Sequence, residues 1–181
     1  MRWSKVKQLA EGLLCESLKG RIEYHYVIHR KSHDQPGTFR ITFDGKEIFR
    51  ASDIPYNIAA NTRGQELTEE RALSLKWDSD WKKMWESNEL KQLHAAYDDA
   101  ETEVRESGLY PAYEIIGLLF DYIHMAFDKA LTYEHPFIRA IALFDRRLGK
   151  RRWANMNVEA EADLVRDFYK LRMKAEEDRM S

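Results

Sequence analysis

At Gly20 the period of the apolar residues changes, and this constrains the fold more than any other feature of the chain. Before it, Val6, Leu9, Ala10, Leu13 and Leu14 recur at helical spacing. That pattern predicts an amphipathic helix over residues 4–18 with Ser4 as its N-cap. Lys19-Gly20 is stop chemistry, a cation near the carbonyl end followed by a residue that accepts positive φ. After it, in "RIEYHYVIHR", Ile22, Tyr24, Tyr26 and Ile28 alternate with Glu23, His25, Val27 and His29, the period of a half-buried strand. "KSHDQPG" at 31–37 is loop chemistry, and "TFRITFD" alternates again. Asp44-Gly45 is a strong hairpin signal, with "KEIFRA" as the return strand. The expectation is a three-stranded antiparallel meander over 21–51. The first helix should cover its apolar face, because so small a sheet is marginal alone.

Residues 52–66, "SDIPYNIAANTRGQE", show no clear period and contain Pro55 and Gly64, which reads as a linker or a long loop. Beyond them, helices are expected at 68–86, 88–106, 112–131, 136–148 and 157–177. Asn157 is the expected N-cap of the last, with Glu159, Glu161 and Asp163 at its positive end. Helices 112–131 and 136–148 are the most apolar and should pack centrally. Strands first and helices later give an α+β class, an N-terminal helix and small meander packed on a mostly helical C-terminal part. The chain reads as a single domain over 1–181: helix plus antiparallel sheet at 1–51, linker or long loop at 52–66, helical part at 67–181.

Composition sets the outer limits. Hydrophobic residues make up 44% and charged residues 33%, which excludes a disordered chain. The net charge of -2 and a pI near 6.3 argue against a general nucleic-acid binder. Cys15 is the only cysteine, so no disulfide forms within the chain, and a buried inert thiol is the default. The N-terminus alternates charged and apolar residues, unlike a signal peptide, and no apolar run approaches the roughly 20 residues of a membrane helix. The expected location is the cytoplasm, without membrane contact.

Five cations fall within seven positions, Arg146, Arg147, Lys150, Arg151 and Arg152, and Trp153 follows. They are a candidate surface for an anionic partner: the cations would neutralise phosphates and the indole would stack on a base. The structural alternative makes Leu148-Gly149 a helix C-terminus capped by Gly149, with the cations facing its carbonyl end or pairing internally. A partner for such pairing exists in residues 86–106, which hold seven acids and two cations. A third alternative is a face for another protein. Trp77, Trp81 and Trp85 stand at i, i+4, i+8. Such a row reads first as core, and otherwise as a partner groove, since tryptophan dominates interface hot spots. His25, His29, His33 and Asp34 are metal-ligand types. The strand rise puts His25 and His29 about 13 Å apart, so no metal site is expected there. Asp121, His124 and Asp128 share one helical stripe, which reads as a solvated face or as a general base with carboxylates. No glycine-rich phosphate loop, serine elbow or CxxC is present, so no catalytic residue and no cofactor is expected.

Three stretches carry a resemblance: "MRWSKVKQLAEGLLCESLKGRIEY", "HDQPGTFRITFDGKEI" at 33–48 and "HPFIRAIALFDRRLGKRRW" at 135–153. Together they resemble an uncharacterised bacterial family of small cytosolic proteins. Its members share a WSKVK…SLKGR helix, a DGKEI hairpin and a C-terminal DRRxGKR segment. The resemblance implies a bacterial cytosolic protein and no particular activity. The functional expectation is an interaction module that binds another protein, with an accessory or immunity-type role as an analogy. The alternative is a nucleic-acid or phosphate ligand bound through 146–152.

Overall fold

The computed structural model describes residues 2–180; the outermost positions of the expected single domain, Met1 and Ser181, lie outside the described residues. The chain runs α1 (Trp3–Gly12), β1 (Ile22–Ile28), β2 (Gly37–Phe43), β3 (Lys46–Ser52), α2 (Asp53–Glu70), α3 (Trp81–Glu86) and α4 (Asn88–Glu106). It continues through α5 (Ala112–His124), α6 (Phe127–Leu131), α7 (Pro136–Ala142), α8 (Lys150–Ala154) and α9 (Asp163–Met180). Two compact units result: Met1–Arg50 with Ala112–Ser181, and Ala51–Pro111.

In the first unit the meander forms in the order β1-β2-β3. Ile22 pairs with Phe43 and Ile28 with Gly37 in an antiparallel register. Asp44 and Gly45 both take positive φ, as a two-residue hairpin turn of this hand requires. Helix α1 packs on β1, and α5 packs on β2. Phe39, on the middle strand, stands at the centre of an aromatic cluster, with Trp3, Tyr24, Phe49 and Phe137 ring centroids all within 6.3 Å. Its edge-on contacts to Trp3, Phe49 and Phe137 tie α1 and α7 to the sheet.

Several element boundaries correct the sequence reading. The first helix ends at Gly12 rather than residue 18, because Leu14 forms an antiparallel bridge to Asp145. Cys15 N–H donates to the Phe144 carbonyl (2.8 Å) and Arg146 N–H to that of Leu13 (2.7 Å), so both segments leave helix to pair. Arg2, not Ser4, occupies the N-cap of α1. The helix expected at 112–131 breaks at Met125-Ala126, and that at 136–148 stops at Ala142. Asn157 caps no helix; its Oδ1 accepts the Glu159 N–H in a local turn, and α9 begins at Asp163.

In the second unit the expected linker at 52–66 is instead most of α2. Pro55 lies in the first turn, where its missing N–H has no intrahelical partner to lose. Tyr56, Ala60, Gly64 and Leu67 form a buried stripe facing α4. The stripe escaped notice because two of its members are alanine and glycine, while the large Ile54 and Ile58 are exposed. The helix expected at 68–86 is interrupted over 71–80: its first residues belong to the end of α2 and 81–86 form the short α3. α2 ends in a turn with Ala72 at φ +51 and Leu73 N–H donating back to Thr68 (2.9 Å).

Candidate functional site

The basic segment follows from the way the chain leaves α7. Phe137, Ile138 and every residue from Ala140 to Asp145 are buried, an apolar run with no solvated face, so it cannot continue as a surface helix. Asp145 is 1% exposed. Its Oδ1 accepts the Arg147 N–H (2.7 Å), an Asx turn that redirects the backbone. The same carboxylate accepts the Tyr122 hydroxyl and the Arg147 guanidinium (Nη2 to Oδ2, 2.6 Å). Burial, reinforced by the Asp145 charge, pushes the Tyr122 phenol well above its ordinary range. The Asp145 hydrogen bond holds Arg147 more firmly protonated than usual. Arg147 also lies over the Phe127 ring and reaches the Met125 carbonyl freed at the break between α5 and α6.

Gly149 is therefore not a helix C-cap. It is the N-cap of α8, so Lys150 opens a five-residue helix whose last turn holds Arg151 and Arg152. Helix-dipole complementarity, which favours cations at the carbonyl end, does not account for Lys150. Arg152 pairs with Asp128 (2.7 Å). Three acids of α4 find partners in their own unit: Glu103 with Arg63, Asp99 with Arg71, Glu101 with Arg105. Arg146 and Arg151 are exposed, and neither side chain forms a hydrogen bond or ion pair among the described residues.

Trp153 is not available to stack on a base. It is 7% exposed, edge-on to Tyr169, with the Arg172 guanidinium 5.6 Å from its ring. Arg172 is itself buried; it donates to the Leu143 carbonyl (2.7 Å) and pairs with Glu176, which also accepts the Ser17 hydroxyl. Trp153 and Arg172 thus pin α9 to the turn after α7. Cys15 is buried, its Sγ 3.1 Å from Ser17 Oγ.

The tryptophan row is not core. Trp77, Trp81 and Trp85 are 82%, 65% and 63% exposed. Asp78 and Asp80 explain the geometry. The Asp78 carboxylate accepts the Asp80 N–H, and the Asp80 carboxylate accepts the Lys82 N–H as the N-cap of α3. The helix can start no earlier than Trp81, which leaves Trp77 outside it and breaks the i, i+4, i+8 row. Ser87 then caps α4, its Oγ accepting the Leu90 N–H and donating to the Met84 carbonyl. Local capping therefore defines this segment, and "DSD" was its available sequence signal.

The stripe on α5 and α6 is divided. Asp121 and His124 line a cleft of about 410 Å3 with Lys129 and Tyr133, whereas Asp128 turns to Arg152. His124 Nδ1 is 2.8 Å from the Phe120 carbonyl, so a backbone oxygen, not a carboxylate, orients the imidazole.

No helix of the described residues is long and apolar enough to cross a membrane. No curated protein and no solved structure matches this chain. A family model does match, and it spans residues 2–173, which covers the meander, the tryptophan segment and the Asp145 turn alike. The chain belongs to the SF0329 protein family.

Proposed function

We propose that this chain is a protein-interaction module of the bacterial cytoplasm and that residues 75–85 form its contact surface. The observation that carries the reading is the exposure of Trp77, Trp81 and Trp85, with Leu75 also in water. Three indoles at this exposure present on the order of 500 Å² of surface, comparable to the largest apolar patches of ordinary monomers. Tryptophan is costly to leave in water and is the commonest interface anchor. The segment is positioned by its own caps and by Trp85 edge-on to His94 of α4 at 5.9 Å, so Trp77 and Trp81 contribute little to the fold that positions them. In sequence Lys76, Lys82 and Lys83 alternate with Asp78, Asp80 and Glu86 between and beside the tryptophans, the mixed charge found at interface rims. The single cysteine, buried in the first unit, is consistent with a reducing compartment.

The same lysines supply the test. Amine-reactive cross-linking in lysate, read by mass spectrometry, should place partner cross-links on Lys76, Lys82 and Lys83. The triple variant Trp77→Ala/Trp81→Ala/Trp85→Ala should lose them while keeping its circular dichroism and melting behaviour. Cross-links that persist in the triple variant, or that map to Lys150 instead, would overturn the proposal. Salt-sensitive binding of an oligonucleotide pool with no protein cross-link at these lysines would transfer the role to Arg146 and Arg151.

A further inference from the structure

The core-facing stripe of β1 runs past the core. Alternation makes Ile28 an inward residue, yet it is 39% exposed, and its neighbour Val27 is 49% exposed. Both line a cavity of about 760 Å3 in the first unit, whose other apolar walls are Trp3 and Val6 of α1, Tyr26 of β1 and Ile116 of α5. Its volume lies within the roughly 300–1,000 Å3 of small-ligand sites. The Trp3 and Tyr26 rings meet edge-on at 5.6 Å, which gives that wall a defined shape.

Charge completes the picture. Arg2 and Arg30 line the cavity and no acid does. Several arginines of this unit are committed to acids, Arg21 to Asp44 and Asp178, Arg50 to Glu47 and Arg139 to Glu161, whereas Arg146 and Arg151 stand on open surface. Arg2 and Arg30 have no such side-chain partner among the described residues. Two guanidinium groups on an apolar cavity match one class of molecule, an apolar chain that ends in an anion. A guanidinium fork accepts both oxygens of a carboxylate, and the walls take the chain out of water.

We infer that this cavity binds a small amphiphilic carboxylate, its chain against Trp3, Tyr26, Ile28 and Ile116 and its carboxylate held by Arg2 and Arg30. The cavity and the tryptophan surface share no residue, so either proposal can fail without the other.

The probe is decanoate, titrated below its micelle concentration into the isotope-labelled full chain, with decylammonium as the same chain of opposite charge. Saturable NMR shifts should be confined to the methyls of Val6, Val27, Ile28 and Ile116 and the Trp3 indole. Decylammonium should bind at least about fivefold more weakly. Arg2→Gln/Arg30→Gln should erase that preference while the spectrum stays folded, and Ile116→Trp, which fills the cavity, should abolish binding of both. Equal affinity for the two probes, shifts centred on Trp77, Trp81 and Trp85, or an absence of saturation would overturn the inference.

Discussion

Replacing Gly64 by alanine separates two effects of opposite sign. In the interior of an exposed helix the change is favourable by about 1 kcal/mol, because alanine restricts the unfolded chain and glycine does not. Gly64 is buried in α2, and a Cβ there would stand 2.4 and 2.5 Å from Cδ1 and Cε1 of Tyr97 and 3.0 Å from its Cγ. Ordinary carbon contacts begin near 3.5 Å, so about 1 Å of separation must be found. Turning the ring cannot supply it, since Cγ lies next to the Tyr97 backbone. α4 has to back away from α2, and the small buried residues of the two helices, Ala60 on α2 and Ala96 and Ala100 on α4, lose packing between them. Overpacking of this kind costs about 1–3 kcal/mol, and it outweighs the propensity gain. The expected net effect of Gly64→Ala is a loss of about 1–2 kcal/mol. Urea denaturation followed by far-ultraviolet circular dichroism measures it, and amide exchange across α2 locates it. In a Tyr97→Ala background the clash is gone, and the same substitution should become neutral or stabilising, a coupling of more than about 1 kcal/mol between adjacent sites. A simple gain in stability from Gly64→Ala alone would refute the close-approach argument.

Asp145→Ala should cost about 2–4 kcal/mol in urea denaturation, because it strands the buried Tyr122 hydroxyl and unpairs Arg147. Arg147 is partly solvated, which keeps the loss below that of a fully buried pair, and a change under about 1 kcal/mol would contradict the role given to the carboxylate. At high pH, burial first and nearby acids second hold the Tyr24 and Tyr122 phenols above the ordinary tyrosine range. Their contribution to stability is intact below the unfolded-state pKa of about 10 and is lost as pH rises beyond it, since the unfolded chain then releases protons that the folded one keeps. Absorbance titration should show these two phenolates only with the unfolding transition, each removed in turn by Tyr24→Phe and Tyr122→Phe; full titration of all nine tyrosines before unfolding would be the contrary result.

The meander was legible because strand alternation, a positive-φ turn pair and loop chemistry all pointed to one answer, and the structure returns the strand order β1-β2-β3 with positive φ at Asp44 and Gly45. Helix α4 takes the bounds expected for it, 88–106, with Ser87 as its cap and Ala96, Ala100 and Val104 as its buried face. The linker reading failed where punctuation had a second meaning. Pro55 marks a first turn, and Gly64 marks a helix crossing at Tyr97, a residue 33 positions away. The helix expected through the tryptophans failed because an aspartate cap outranked a regular spacing of large side chains.

By itself the sequence determined what depends on neighbours a few residues apart: the change of period at Gly20, the hairpin, the α+β class and the clustering of cations at 146–152. The tertiary structure decided which of those groups meet water. It buried Trp153 against Arg172, took Arg147 for Asp145, and left Trp77, Trp81 and Trp85 exposed. The reason is physical. Local conformation follows from steric and hydrogen-bonding preferences within one turn of chain, whereas burial and charge pairing depend on partners distant in sequence that only the folded chain brings into contact.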